Sequence, residues 1–186
     1  MDKRDLIEKL HTPFDDEQMV EVEVPTEHVD PDGGRSWSMK RENGFPTSMY
    51  AQRLNDVFGL LWKNELERID YWGNEYIHFT IEARLPDGDL IKRTGLSHQP
   101  FETACKMFGI GGSFDQIAHC GRAMNNAFGL DWNIGFSVGE EETICTITVT
   151  DSDGTPISRI GIGSGEVNAF TNACEMFGVD PDPIPY

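Results

Sequence analysis

Residues 104–110 read ACKMFGI, and residues 173–179 read ACEMFGV. The two strings differ only at Lys106/Glu175 and Ile110/Val179. Each places small and soft apolar residues ahead of a Phe-Gly pair. That is the pattern of a core-facing helix that stops at a glycine in the left-handed region. A helix ending written twice in 186 residues points to an internal repeat.

The repeat extends backwards from both strings. Residues 53–62 read RLNDVFGLLW and residues 123–132 read AMNNAFGLDW, so that Asn55, Phe58, Gly59, Leu60 and Trp62 recur as Asn125, Phe128, Gly129, Leu130 and Trp132. Between these markers lie IHFTIEARLPDGDLIKRTG (77–95) and ICTITVTDSDGTPISRIG (144–161). There Asp87-Gly88 matches Asp153-Gly154, Arg93 matches Arg159, and Gly95 matches Gly161. Phe101, Ala104 and Cys105 then match Phe170, Ala173 and Cys174. The period is about seventy residues, and short loop insertions account for its small drift.

Each unit reads in the same order. Leu54, Val57, Phe58 and Leu61 recur at helical spacing, and Gly59 suits the helix end. A strand follows Trp62, and residues 76–83 then alternate with period two. Asp87-Gly88 suits a tight hairpin, LIKRTGL returns as a third strand, and a helix carrying Phe101, Ala104, Cys105 and Phe108 covers the sheet. The expected fold is α+β, with two tandem helix–three-stranded antiparallel meander–helix units. The units span 47–117 and 118–180, after an N-terminal segment 1–46 and before a proline-rich tail 181–186. In the N-terminal segment, MVEVEV from Met19 alternates like a strand, and HVDPDGGRSW is turn-rich and reads as a loop.

Charge bounds the partners. The chain carries 32 acidic and 15 basic residues, a net charge of −17. Such a surface repels nucleic-acid backbone unless cations cluster locally. It also resembles the surfaces of proteins from salt-rich cytoplasm, for which stability rises with molar KCl. No apolar run approaches the ~18 residues of a membrane span, and the charged N-terminus lacks a secretory h-region, so a cytoplasmic location is the expectation. Cys105, Cys120, Cys145 and Cys174 form no metal-binding or disulfide spacing and read as buried free thiols.

The order LIEKLHTPFDDEQMVEVEV, a turn-rich stretch, MYAQRLNDVFGLLW, a hairpin with the DG turn, and FETACKMFGIGGSF resembles the Rad-fifty-two family of single-strand annealing proteins, in its short bacterial and phage form. The places that carry the likeness are Leu10 to Phe14, Val57 to Trp62, and Phe108 to Gly111. The resemblance implies a meander sheet with a packed helix and assembly into a homo-oligomeric ring or filament. It also implies single-stranded DNA held in a basic groove and annealed without a cofactor or enzymatic step, in recombination and repair. The sequence departs from the family pattern at Glu102 and Thr103, where typical members carry a Lys-Arg pair. It departs again at Ser48 and Met49, near the usual DNA-contacting Arg, and in the second unit itself.

The candidate nucleic-acid-binding residues are Arg53, Arg84, Lys92, Arg93, Lys106, Lys40 and Arg41, with Trp37, Trp72 and Tyr76 as stacking candidates. The opposing reading is that these cations are surface charges balanced by carboxylates. In that case the chain is an acidic interaction or regulatory module that mimics DNA and meets a basic protein partner. Convergence of the cations on one face discriminates between the two. For catalysis or metal binding, His98 and His119-Cys120 are the best candidates, and no carboxylate is fixed beside them by spacing. GIGG, GIGSGE and DSDG lack the remaining residues of phosphate-binding, dinucleotide-binding or calcium-binding loops.

Overall fold

The Phe-Gly stops and Asp-Gly turns set the element boundaries. The computed structural model describes residues 2–29, 31, 35–71, 74–96 and 99–179. Among these residues the protein is an α+β fold of five α-helices and three small antiparallel sheets. Helix α2 (Thr47–Phe58) ends at Gly59 with φ 60°, and helix α4 (Gln116–Phe128) ends at Gly129 with φ 67°, a region in which a Cβ is strained.

After α2 come β3 (Trp62–Tyr71), β4 (Asn74–Arg84) and β5 (Leu90–Gly95), paired in that order, and then α3 (Pro100–Met107). After α4 come β6 (Trp132–Val138), β7 (Thr143–Thr150) and β8 (Pro156–Gly163), also paired in order, and then α5 (Glu166–Glu175). The registers correspond. Trp62 faces Ala83 as Trp132 faces Val149, and Arg93 faces Ile81 as Arg159 faces Ile147. Both hairpin loops close alike, with Leu85 N–H on Asp89 O at 2.8 Å and Asp151 N–H on Thr155 O at 3.0 Å. Both helices cross their sheet on a glycine. A Cβ on Gly95 would lie 2.1 Å from Pro100 O, and one on Gly161 would lie 2.2 Å from Ala169 O.

The N-terminal segment contains more order than its sequence suggests. Helix α1 (Lys3–His11) opens with an Asp2/Asp5 capping box and buries Leu6 and Leu10 in the core beneath α2. Strand β1 (Val20–Val29) pairs with β2 (Arg35–Gly44) along ten residues, so residues 28, 29 and 35–37 of the expected loop are strand. Strand β2 escapes a pattern reading because its residues are almost all polar. Both of its faces meet solvent where they are described, so no apolar alternation marks it. In the helical set expected before Gly59, Leu54, Val57 and Phe58 are buried, but Leu61 lies past the helix and is exposed. The proline-rich tail lies outside the described residues.

The two three-stranded sheets meet at β5 and β6, and their cores interlock. Leu130 from the second half joins the first core, while Leu96 and Met107 from the first half join the second. Lys3 ties the same region from outside, at 2.8 Å from Asp87 and 3.0 Å from Asp131. Burial opposes its charge, but hydrogen bonds to these two carboxylates outweigh that and hold its pKa up at about 12.

Candidate functional site

The seven candidate cations do not share one face. Arg53, half-buried on α2, donates through Nη1 to Lys9 O at 2.9 Å and Thr12 O at 2.5 Å, over the ring of Phe14. It latches α1 onto α2. Arg84 donates back to Gly88 O at 3.0 Å and closes its own hairpin. Lys106 on α3 pairs with Asp115 at 2.8 Å. On the β1–β2 hairpin, Lys40 pairs with Glu42 at 2.7 Å, and Arg41 lies between Glu21 at 3.5 Å and Glu23 at 3.6 Å.

Lys92 lines a cleft on the open face of the first sheet, and Arg84 lines an adjoining one with Lys63 and Glu82. The Lys92 cleft, about 280 Å³, is lined by Lys63, Asn64, Glu65, Thr80, Glu82 and Lys92. Glu82 sits between the two amines, 3.0 Å from Lys63 and 3.1 Å from Lys92. Their hydrogen bonds pull its carboxyl below the ordinary range. The cleft therefore holds two amines and one central carboxylate, with Glu65 also on its wall.

Arg93 must be removed from the set of nucleic-acid contacts. It points to the helix side of β5 and is fully buried. Its guanidinium lies 3.4 Å from the centroid of the Trp132 ring and 5.1 Å from that of Phe108. It donates to Trp132 O, to Lys92 O at 2.9 Å and to Leu130 O at 3.4 Å, while its Nε has no partner. Burial pushes its pKa well below the usual arginine value, and Asp131 acts weakly the other way. Sequence spacing correctly places Lys92 and Arg93 on opposite faces but cannot say that a second sheet covers one of them.

The stacking candidates divide differently. Tyr76 is half-buried against the second core. Trp72 lies outside the described residues, and so does the side chain of Trp37. His98 also lies outside them. His119 is half-buried in the first turns of α4, which starts at Gln116 with Asp115 as its cap. All four cysteines are free and buried. Burial raises the Cys105 and Cys145 thiols, which keeps them unreactive. Among the described residues no group of three or more His, Cys, Asp or Glu is arranged to hold a metal, and no helix is long and apolar enough to cross a membrane.

The residues that organise the middle of the molecule are Asn125, Leu130 and Trp132. Asn125 accepts the Trp132 Nε1–H at 3.0 Å and donates to Phe108 O at 2.9 Å. The available signal for them was the recurrence of Asn, Leu and Trp from the first unit. No protein-family model, curated protein or solved structure matches the chain.

Proposed function

We propose that the protein is a non-enzymatic, acidic binding module. It is built from two copies of a helix–meander–helix unit, and its partner is a basic protein. The state of the cations carries this reading. Arg93 is core, Arg53 is a latch, Arg84 caps its own loop, and Lys40, Arg41, Lys92 and Lys106 each face a carboxylate. A strand-annealing groove needs several free cations in line along the phosphates. Lys63, Arg84 and Lys92 gather around Glu82, and the other candidate cations lie on different faces, on a chain of net charge −17. The long-range field of such a surface attracts basic partners and repels nucleic acid.

The test is a pair of anisotropy titrations between about 50 and 200 mM salt. One uses a fluorescent single-stranded oligonucleotide and the other a fluorescent Lys/Arg-rich peptide. The expected result is salt-sensitive binding of the peptide and none of the oligonucleotide. Tight oligonucleotide binding that is lost in a Lys40→Glu/Arg41→Glu/Lys92→Glu variant would overturn the proposal in favour of an annealing protein. Arg53 and Arg93 are unsuitable for that variant, because replacing them disturbs the fold.

A further inference from the structure

We propose that a second copy of this chain docks head to tail on the first, with the β3 edge of one copy against the β8 edge of the next. The contact repeats the strand edges of the β5–β6 junction that each chain already contains, without the α1 bridge that Lys3 and His11 add there. The proposal rests on the register correspondence between the two halves, and not on what the protein binds.

The evidence is a set of matched positions with opposite exposure. On the entering edge, Leu130 is 0% exposed and its counterpart Leu60 is 98% exposed. On the same edge Phe136 is buried at 9%, while Leu66 is 54% exposed. On the receiving edge, Met107 is 0% exposed against 60% for Met176. Leu96 is 7% exposed there, against 48% for Ile162. At these four pairs the two free edges leave open, as large apolar residues, what the in-chain junction covers, while exposed Asn64 stands at the place of buried Ile134.

The polar parts of the junction recur too. Arg159 lies 5.7 Å over the Phe177 ring, as Arg93 lies 5.1 Å over Phe108. It is exposed, however, and donates to its own neighbour's carbonyl, Ser158 O, at 3.0 Å. Trp62 donates to Asn55 at 2.9 Å, the same hold that Asn125 has on Trp132. A copy arriving at β8 would therefore bring a Trp ring already oriented to stack on Arg159, with the Leu60 and Trp62 carbonyls available to its guanidinium. The place for Leu60 exists. A cleft of about 430 Å³ lined by Phe128, Val149, Ile157, Arg159, Met176 and Phe177 corresponds to the region of the first core that Leu130 enters.

Two features weaken the intermolecular contact relative to the in-chain one. Gly121 lets α4 lie against the end of α3, where a Cβ would be 2.7 Å from Lys106 O, and Ala51 holds the matching place on α2. The two copies also repel each other through their net charge, so association strengthens with salt. A head-to-tail contact is heterologous and therefore propagates beyond a dimer.

Sedimentation velocity on the full chain at about 0.1 M and 1 M KCl tests this. Wild type is expected to form species larger than a dimer as its concentration rises, and more of them at the higher salt. Leu60→Asp and Arg159→Asp each break one edge at an exposed site. Each alone should stay monomeric, with unchanged circular dichroism and melting. An equimolar mixture of the two retains one intact edge of each kind and should give a dimer and nothing larger. Three outcomes would overturn the proposal: a wild type that is monomeric throughout, a single variant that assembles like wild type, or a mixture that stays monomeric while wild type assembles.

Discussion

Arg93 and Arg159 hold the same register position in the two halves and occupy opposite environments. Arg93 is sealed between Phe108 and Trp132, while Arg159 lies in the open beside Phe177. Their local sequences are alike, so nothing within either half makes the difference. The difference comes from what lies across the next edge: β6 beside β5, and no described strand beside β8. A residue's role here, as core anchor or as exposed cation, is set by its neighbour and not by its own strand.

The largest test of that contrast is truncation of the two arginines. Arg93→Ala leaves a cavity between two aromatic rings and removes the donor to the Leu130 and Trp132 carbonyls, with an expected cost of about 3–5 kcal/mol. Arg159→Ala should change stability by no more than about 0.5 kcal/mol. Urea midpoints at equal slopes measure both, and equal losses would end the comparison. The leucines extend it. Leu130→Ala should cost about 2–5 kcal/mol and Leu60→Ala close to nothing, by the same assay under monomeric conditions.

A sharper test looks for equality. Gly95 and Gly161 both lie under a helix backbone with no room for a Cβ. Gly95→Ala and Gly161→Ala should each destabilise by about 1–3 kcal/mol, and by similar amounts. Thermal melts that separate them widely would mean that the two helix–sheet contacts are not equivalent.

A smaller loss than the one at the glycines is expected at α1, which has no counterpart in the second half. Burial, helped by Arg122, lowers the His11 pKa to about 4. His11 is therefore neutral in the folded chain, whereas the unfolded chain takes up the proton near the ordinary value of about 6.5. The unfolded state binds more protons between those values. This stabilisation is complete above about pH 6.5 and is lost as pH falls towards 4. Allowing for partial solvent screening, the loss is about 1–2 kcal/mol. Denaturant titrations at several pH values should show a smaller acid loss for His11→Gln than for wild type.

Much of this was legible in the chain and some was not. The meander strands, the hairpin turns and the helix stops were readable because period-two alternation and Gly at φ > 0 are local signals. Helix α1 was missed because it is short and highly charged, with only Leu6 and Leu10 marking its buried side. Strand β2 was missed because its partner is one exposed strand and it has no core side to mark. Among the candidate cations, the sequence identified residues of the right chemistry. It could not show that Asp115, Glu42 or Glu82 would lie within ion-pair distance of them.

By itself the sequence determined the α+β class, the turn positions, the strongly acidic surface and the recurrence of Asn, Phe-Gly-Leu and Trp ahead of each meander. These depend on residues a few positions apart or on composition. Only the tertiary structure decided which of two matched arginines becomes core, which leucine is covered, and whether the cations line up. Burial and ion pairing arise between residues brought together from distant parts of the chain. One of two edges with matching register can therefore be sealed while the other, written in similar letters, stays open.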